Sequence, residues 1–136
     1  MRILALDVGD ARIGIAYTDA LELSVNPYES FKRKNTQEDY SHIAEIIKKL
    51  KAERVVIGLP LNMDGTEGER VEKTKLFAEE LRKFTEVPFD WQDERLTTVT
   101  AERILIEQGM RREKRKDVID KVAAMVILSS YLDRKH

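Results

Sequence analysis

The fold is decided by the stretch RILALDVGDARIGIAYT at residues 2–18. Two apolar runs, 2–8 and 12–18, are joined by the Gly-Asp pair at 9–10, and this pattern predicts two antiparallel strands in a hairpin. Asp7 lies near the end of the first run, although strands are poor in Asp and burying an unpaired carboxylate costs roughly several kcal/mol. Three partners for this carboxylate are open at this point: a metal ion, a phosphate group or a structural contact.

Composition limits the class of protein. The chain has 136 residues, and we treat residues 1–136 as a single domain with room for a substantial core. No apolar run approaches the roughly 18 residues of a membrane span and the first residues do not form a signal peptide, so we expect a cytoplasmic protein without a membrane partner. The absence of cysteine excludes disulfides, thiolate metal sites and cysteine nucleophiles.

Local charge is more informative than net charge. The chain has 24 basic and 25 acidic residues, so its overall charge does not indicate a nucleic-acid partner. The segment RREKRK at residues 111–116, however, holds five cations in six positions. Cations that meet phosphates supply most of the non-specific affinity for nucleic acid. A solvated loop explains the segment better when it is taken alone, so its meaning depends on its neighbours.

The remaining chain alternates helices and strands. Periodicity and turn residues predict a strand over 25–32, then a helix capped by Asn35 or Thr36, then a strand over 54–59 and a turn-rich loop over 60–68. A helix of about 16 residues follows, and its apolar stripe consists of Val71, Leu76, Phe77, Leu81 and Phe84. The chain then continues with a strand over 88–94, a helix from Thr97 or Thr98 to about Gln108 that is stopped by Gly109, and a last helix over 117–133. This order predicts an α/β fold with a mixed five-stranded sheet flanked by helices on both faces.

Acidic residues recur at the ends of these elements. Asp93 and Glu94 end the last strand, and Asp117 and Asp120 open the last helix. A carboxylate in a first helical turn faces the helix dipole favourably, which is enough to explain Asp117. Asp120 borders the apolar stripe of its helix, which favours a function. Glu94 could simply pair with Arg95, and the residues alone do not choose between Asp93 and Glu94.

Carboxylates that converge from different elements suggest a metal-dependent nuclease. Mg²⁺ and Mn²⁺ prefer hard oxygen ligands, and three or four carboxylates supply them. Two such ions about 3.5–4 Å apart can activate a water and stabilise the leaving oxygen of a phosphodiester. A basic loop at 111–116 beside the acidic helix would then hold a nucleic-acid backbone against the site.

The first phosphate loop of the actin and sugar-kinase ATPases offers a rival interpretation. Residues 7–19, DVGDARIGIAYTD, resemble that loop, in which an Asp near a Gly-bearing hairpin meets a metal ion and nucleotide phosphates. Those ATPases need a second lobe that closes over the nucleotide. This chain is too short to supply one, so its length decides against the rival.

Three longer motifs resemble one family. The segments DVGDARIGIA (7–16), GLPLNMDGTEG (58–68) and DERLTT (93–98) are similar to the YqgF family, also called RuvX, and DKVAAMVIL (120–128) resembles its closing helix. These motifs span almost the whole chain in order. The resemblance implies a ribonuclease H-like fold, in agreement with the predicted mixed sheet.

The resemblance also implies a set of catalytic and metal-binding residues. The family's carboxylates fall on Asp7, Glu94 and Asp120, which selects Glu94 over Asp93. Asp7 would bridge the ions, Mg²⁺ or Mn²⁺, and the other two would hold them. Substrate contacts are expected from Arg12, Asn62, Arg95, Arg111, Arg112, Lys114, Arg115 and Lys116.

Family members are described as nucleases that mature the 5′ end of precursor 16S ribosomal RNA and as Holliday junction resolvases. We therefore expect a nuclease whose partner is structured RNA, with branched DNA as the alternative substrate. A nucleic-acid-binding module with a degenerate site is a third interpretation. The oligomeric state, monomer or homodimer, does not follow from the sequence.

Overall fold

A mixed five-stranded sheet forms the centre of the computed structural model. The structure describes residues 1–95 and 97–135, and at residues 97, 98, 116 and 117 it describes the backbone alone. The strands are β1 (Ile3–Val8), β2 (Arg12–Thr18), β3 (Val25–Lys32), β4 (Arg54–Leu59) and β5 (Phe89–Asp93), in the spatial order β3-β2-β1-β4-β5. β2 pairs antiparallel with β1 and β3, whereas β4 pairs parallel with β1 and β5. The predicted mixed α/β sheet is confirmed, and β5 is shorter than the predicted 88–94.

Four helices are described: α1 (Gln37–Leu50), α2 (Glu69–Leu81), α3 (Thr97–Glu107) and α4 (Arg112–Lys135). The Thr36 side chain accepts a hydrogen bond from the backbone N–H of Glu38 and so caps α1. The side chains of Thr97 and Thr98, the predicted caps of α3, lie outside the described residues. None of the helices described is long and apolar enough to cross a membrane.

Two helical predictions were wrong in detail. α4 begins at Arg112 rather than at residue 117, so most of the predicted basic loop is helical. Arg, Lys and Glu are good helix formers and neither Gly nor Pro follows Gly109, so nothing delays the start of the helix. Asp117 consequently lies beyond the first turn of α4, and its side chain is outside the described residues.

The second correction concerns the apolar stripe of α2. Leu76 was predicted to be buried but is 62% exposed, and Phe84 follows the end of the helix. The buried face is set by spacings of three and four residues, which leave position 76 on another side of the helix. The residues on that buried face are Val71, Thr74, Phe77, Ala78 and Leu81.

Alternation along β1 divides the core between the two faces of the sheet. Leu4 and Leu6 pack with α1 and α2 on one face, whereas Ile3 and Ala5 pack with α4 on the other. Successive side chains of a strand point to opposite faces, so Asp7 continues the series of Ile3 and Ala5. The anomalous carboxylate is therefore on the face covered by α4.

A glycine in β2 lets α4 approach this face closely. Gly14 lies opposite Asp7 in the β1–β2 pairing. A Cβ atom at Gly14 would lie 2.0 Å from the backbone oxygen of Asp120, a distance that no side chain tolerates. The absence of a side chain at Gly14 thus lets Asp120 come down onto the sheet beside Asp7.

Candidate active site

Three carboxylates line one cleft at the edge of the sheet. The cleft has a volume of about 540 Å³, and Asp7, Glu94 and Asp120 all lie in its wall; we call it the carboxylate cleft. Asp7 is near the C-terminal end of β1, and Glu94 follows the C-terminal end of β5. Both strands run parallel to β4, so these ends lie at one edge of the sheet. Asp120 comes from α4, which covers this face of the sheet. The three residues that were predicted to act together are therefore adjacent in the structure.

Asp7 and Glu94 form a hydrogen-bonded carboxyl pair. Burial raises the pKa of Glu94 to about 8, and the neighbouring charge of Asp7 adds to this effect. Burial also raises the pKa of Asp7 to about 6, and repulsion from Asp120 contributes. At neutral pH the two carboxyl groups therefore share a proton.

A glycine in β4 makes room for this pair. A Cβ atom at Gly58 would lie 2.6 Å from the Cδ1 atom of Ile127 and 3.0 Å from the carboxyl carbon of Glu94. Glycine inside a strand often marks a close approach by another group, so Gly58 within an apolar strand is the sequence feature that indicates this contact. Gly58 is therefore the position at which Glu94 and α4 meet the sheet.

The structure separates Glu94 from its neighbour Asp93, which the residue pattern alone could not do. Asp93 forms an ion pair of 2.8 Å with the guanidinium of Arg95 and accepts a hydrogen bond from the Arg95 backbone N–H. The hydrogen bond with the Arg95 side chain is the main cause of the lowered pKa of Asp93. Asp93 is thus occupied by Arg95, whereas Glu94 faces Asp7.

Asp120 is held by two side chains from neighbouring strands, one in β2 and one in β3. Its Oδ2 atom lies 3.3 Å from the Nε atom of Arg12 and accepts a hydrogen bond of 3.3 Å from the Ser30 hydroxyl. Arg12 also donates to the backbone oxygen of Ser30 at 3.2 Å. Arg12, predicted to contact substrate, therefore positions Asp120 in this structure, and Ser30 was not predicted.

Arg70 is a site residue that sequence reasoning missed. It lies in the first turn of α2 and lines the carboxylate cleft. Its positive charge lowers the pKa of both Asp7 and Glu94, against the larger effects that raise them. Its guanidinium has no ion-pair partner in the part of the chain that the structure describes. An arginine on an exposed helical turn is ordinary in sequence, so no pattern singled it out.

Two of the predicted substrate contacts also line the carboxylate cleft. Asn62 belongs to the loop between β4 and α2, and its amide donates to the Thr66 hydroxyl at 3.0 Å. Arg95 donates from Nη1 to the backbone oxygen of Met63 at 3.2 Å, which ties the residue after Glu94 to the same loop. These polar groups form the rim of the cleft opposite α4.

The described side chains of the basic segment do not line the carboxylate cleft. Arg111 and Lys114 border a separate cavity, and Arg112 and Arg115 border another, where Arg115 lies 3.6 Å from Glu102. The side chain of Lys116 lies outside the described residues. Along α4, Asp120 follows Arg112 by eight residues and Arg115 by five, roughly 12 and 8 Å at 1.5 Å per residue. The four described cations therefore do not border the three carboxylates.

The donor set of the cleft fits a divalent cation by its chemistry. Asp7, Glu94 and Asp120 offer hard carboxylate oxygens, and the first two share a proton because burial, together with repulsion between neighbouring carboxylates, disfavours their negative charges. A cation would offset the same excess of negative charge. Among the side chains that the structure describes, no three acidic or histidine residues are grouped tightly enough to enclose one ion as they stand.

Solved structures with a similar fold include two resolvases. One is "T. thermophilus RuvC in complex with Holliday junction substrate", with a TM-score of 0.60, 13% identity, and coverage of 98% of this chain and 96% of that one. The other is a fowlpox virus resolvase complexed with Holliday junction DNA, with a TM-score of 0.63, 12% identity and 99% coverage of both chains. At such low identity the likeness establishes the ribonuclease H-like fold alone.

Sequence relatives are much closer. A protein of Caldanaerobacter subterraneus subsp. tengcongensis is 50% identical over 134 residues, covering 98% of this chain and 96% of its own. A protein of Halothermothrix orenii is 48% identical over 133 residues, covering 98% of this chain and 95% of its own. Both are named "Putative pre-16S rRNA nuclease". The family model described as "RuvX: Holliday junction resolvase" matches residues 1–134, and the chain belongs to this family.

Proposed function

We propose that this protein is a metal-dependent endonuclease that processes the 5′ end of precursor 16S ribosomal RNA in the cytoplasm. The observation that carries the proposal is the proton-sharing pair Asp7–Glu94 beside Asp120 in an open cleft. Perturbed carboxyl groups that converge in a cleft are typical of catalytic sites. The names of relatives at 42–50% identity supply the substrate.

The metal is Mg²⁺ or Mn²⁺ in this proposal, held by Asp7, Glu94 and Asp120. Bound there, it would supply Lewis-acid stabilisation of the charge that develops on the phosphate oxygens. Glu94 must give up its proton to act as a ligand, so protons compete with the cation. Cation affinity should therefore fall steeply as the pH is lowered through the pKa of Glu94, which is about 8.

The protein's own groups orient the substrate. Arg70 faces both Asp7 and Glu94, so its guanidinium is placed to bind a non-bridging oxygen of the phosphate that lies over them. Arg12 keeps Asp120 in place from β2, together with Ser30 of β3. Donors on the rim, from the loop after β4 and from Arg95, would contact neighbouring nucleotides.

A cleavage assay tests the proposal. A precursor 16S fragment with its 5′ leader is incubated with Mn²⁺ or Mg²⁺ and the wild type, Asp7→Asn or Asp133→Asn. Asp7→Asn should lower the rate by about 10²–10³-fold, because it removes a charge that acts on the reacting phosphate. Asp133 is exposed near the other end of α4 and serves as the control. Equal cleavage by wild type and Asp7→Asn would overturn the assigned site.

A DNA junction resolvase with the same chemistry is the second candidate. The description of the matching family favours it, and the structural neighbours named above include resolvases bound to junction DNA. A four-way junction is therefore assayed beside the RNA at the same metal and salt. Two symmetric cuts call for a two-fold dimer, so a strict monomer in solution would count against a resolvase. If neither substrate is cut and the cation does not stabilise the fold, the site is degenerate and the protein only binds nucleic acid.

A further inference from the structure

A second cleft, of about 440 Å³, lies on the other side of Arg70 from the carboxylates. Arg33, Arg70 and Lys73 bring three positive charges to its wall, and we call it the Arg33 cleft. Arg70 lines both clefts. The turn after β1 also separates them, since Gly9 borders the carboxylate cleft and Asp10 borders the Arg33 cleft. Because Arg70 lines both clefts, they are adjacent, and a long ligand can extend from one into the other.

Arg33 is fixed in place but short of hydrogen-bond acceptors. It donates from Nη1 to the backbone oxygen of Gly9 at 2.8 Å, and its guanidinium lies 5.1 Å from the centroid of the Phe77 ring. Its Nε atom is buried without a partner among the described residues. A guanidinium has five N–H donors in a rigid fork, and this geometry matches the oxygens of a phosphate. Packing on Phe77 therefore orients a cation whose donors are largely unused.

The two cations of α2 are equally available. Arg70 and Lys73 are three residues apart and so lie on neighbouring positions of one helical face. Lys73 approaches Glu69 only at 3.6 Å, with both side chains well exposed, and such pairs contribute little. Arg70 has no ion-pair partner in the described residues, as noted above. Both side chains can therefore turn toward an anion without breaking a strong contact.

Two carboxylates also line the cleft, but neither cancels its positive charge. Glu80 lies 3.0 Å from Lys83, a cation just after the same helix that does not line the cleft. Asp10 is exposed in the turn after β1. With three cations against two carboxylates in its wall, the cleft keeps a net positive charge.

We propose that the Arg33 cleft binds a phosphate of the substrate strand that neighbours the phosphodiester held in the carboxylate cleft. This inference rests on the proposed nuclease function, and it names the path of the strand: past the acidic site, across Arg70, and into the Arg33 cleft. Because Arg33 also donates to the backbone oxygen of Gly9, the contact acts on the turn two residues after Asp7. The strand and the catalytic carboxylate would thus be fixed by one arginine.

The test measures binding separately from cleavage. Affinity for a fluorescently labelled single-stranded RNA is measured by anisotropy in EDTA, from about 50 to about 200 mM salt, since each phosphate contact adds about 0.7 to the salt slope for a single strand. Lys73→Gln and Arg33→Gln should each weaken binding about three- to tenfold and reduce the slope by about that amount. Lys75→Gln is the control, because Lys75 lies on the same helix, is paired with Glu67 at 2.7 Å and does not border the cleft.

The outcomes separate this inference from the proposed function. If Lys73→Gln and Arg33→Gln bind RNA with the affinity and salt slope of Lys75→Gln, the strand path is wrong even where the wild type cleaves. If they weaken binding but the wild type cuts nothing, the path holds and the nuclease proposal fails. Adenosine monophosphate is the last probe: if it raises the melting temperature of the wild type but not of Lys73→Gln, while RNA binding is equal in both, the cleft takes a free nucleotide and the inference is overturned. Lys73→Gln keeps the test valid if Arg33→Gln does not fold.

Discussion

Asp7→Asn should make the metal-free protein more stable at alkaline pH while removing its activity. Asp7 has a pKa of about 6 in the folded protein, against an ordinary value of 3.8. The folded state therefore holds a proton that the unfolded chain releases, and the free energy of unfolding falls as the pH rises from about 4 through about 6. Asn carries no charge, so the variant escapes this loss.

The magnitude follows from the shift in pKa. Each pKa unit corresponds to about 1.4 kcal/mol, so a rise of about two units amounts to roughly 3 kcal/mol at pH 8, when Asp7 is ionised. Imperfect hydrogen bonding of the amide offsets about 1 kcal/mol of the gain. We expect Asp7→Asn to be more stable than the wild type by about 1–3 kcal/mol at about pH 8, and by under about 1 kcal/mol at about pH 4.

Urea unfolding in EDTA at these two pH values measures the difference. A gain of about 2 kcal/mol shifts the midpoint by about 1 M at the slopes usual for a chain of this size. Asp133→Asn, exposed on α4, should follow the wild type at both pH values. Mg²⁺ should stabilise the wild type more than Asp7→Asn, because the cation offsets the same repulsion. A difference between Asp7→Asn and the wild type that does not change with pH would refute the assigned proton-sharing pair.

Three further changes test the geometry of the site. Gly14→Ala should lower the free energy of unfolding by about 3 kcal/mol or more, seen as an earlier urea midpoint, because its Cβ would lie 2.0 Å from the backbone oxygen of Asp120. Gly58→Ala should cost about 1–3 kcal/mol by the same assay and reduce cleavage, since its Cβ would press on Ile127 and Glu94, 2.6 Å and 3.0 Å away. Glu94→Gln should reduce kcat by about 10²-fold or more at saturating metal. If kcat is lost in Asp93→Asn but not in Glu94→Gln, then Asp93 rather than Glu94 is the catalytic carboxylate.

The parts of the site that lie on regular elements could be predicted from the sequence. The alternation of β1 and the strand-end positions of Asp7 and Glu94 depend only on local pattern and on the rule that parallel strands end at one edge. Asp120 was selected because it borders an apolar stripe, and the structure places its backbone against Gly14. The catalytic role of these residues remains a proposal.

The parts that depend on tertiary placement could not be predicted. In the sequence, Arg70 resembles any exposed helical arginine, and only the tertiary structure places it beside the carboxylates. Arg33 lies just beyond β3, and its proposed role depends on its contacts with Gly9 and Phe77, which are remote from it in the chain. The start of α4 was misplaced because charge suggested a loop, although the helix propensity of the same residues favoured a helix.

The contact between α4 and the hairpin has a consequence for how the protein is made. Asp120 meets Ser30 across 90 positions of chain, and Lys135 near the end of α4 meets Glu22 across 113. Chains emerge from the ribosome N-terminus first, so the strands that carry Asp7 and Glu94 are synthesised well before their third partner. A nascent chain without α4 has an incomplete carboxylate cleft. The proposed nuclease should therefore gain its activity only after α4 has been synthesised and has docked on the sheet.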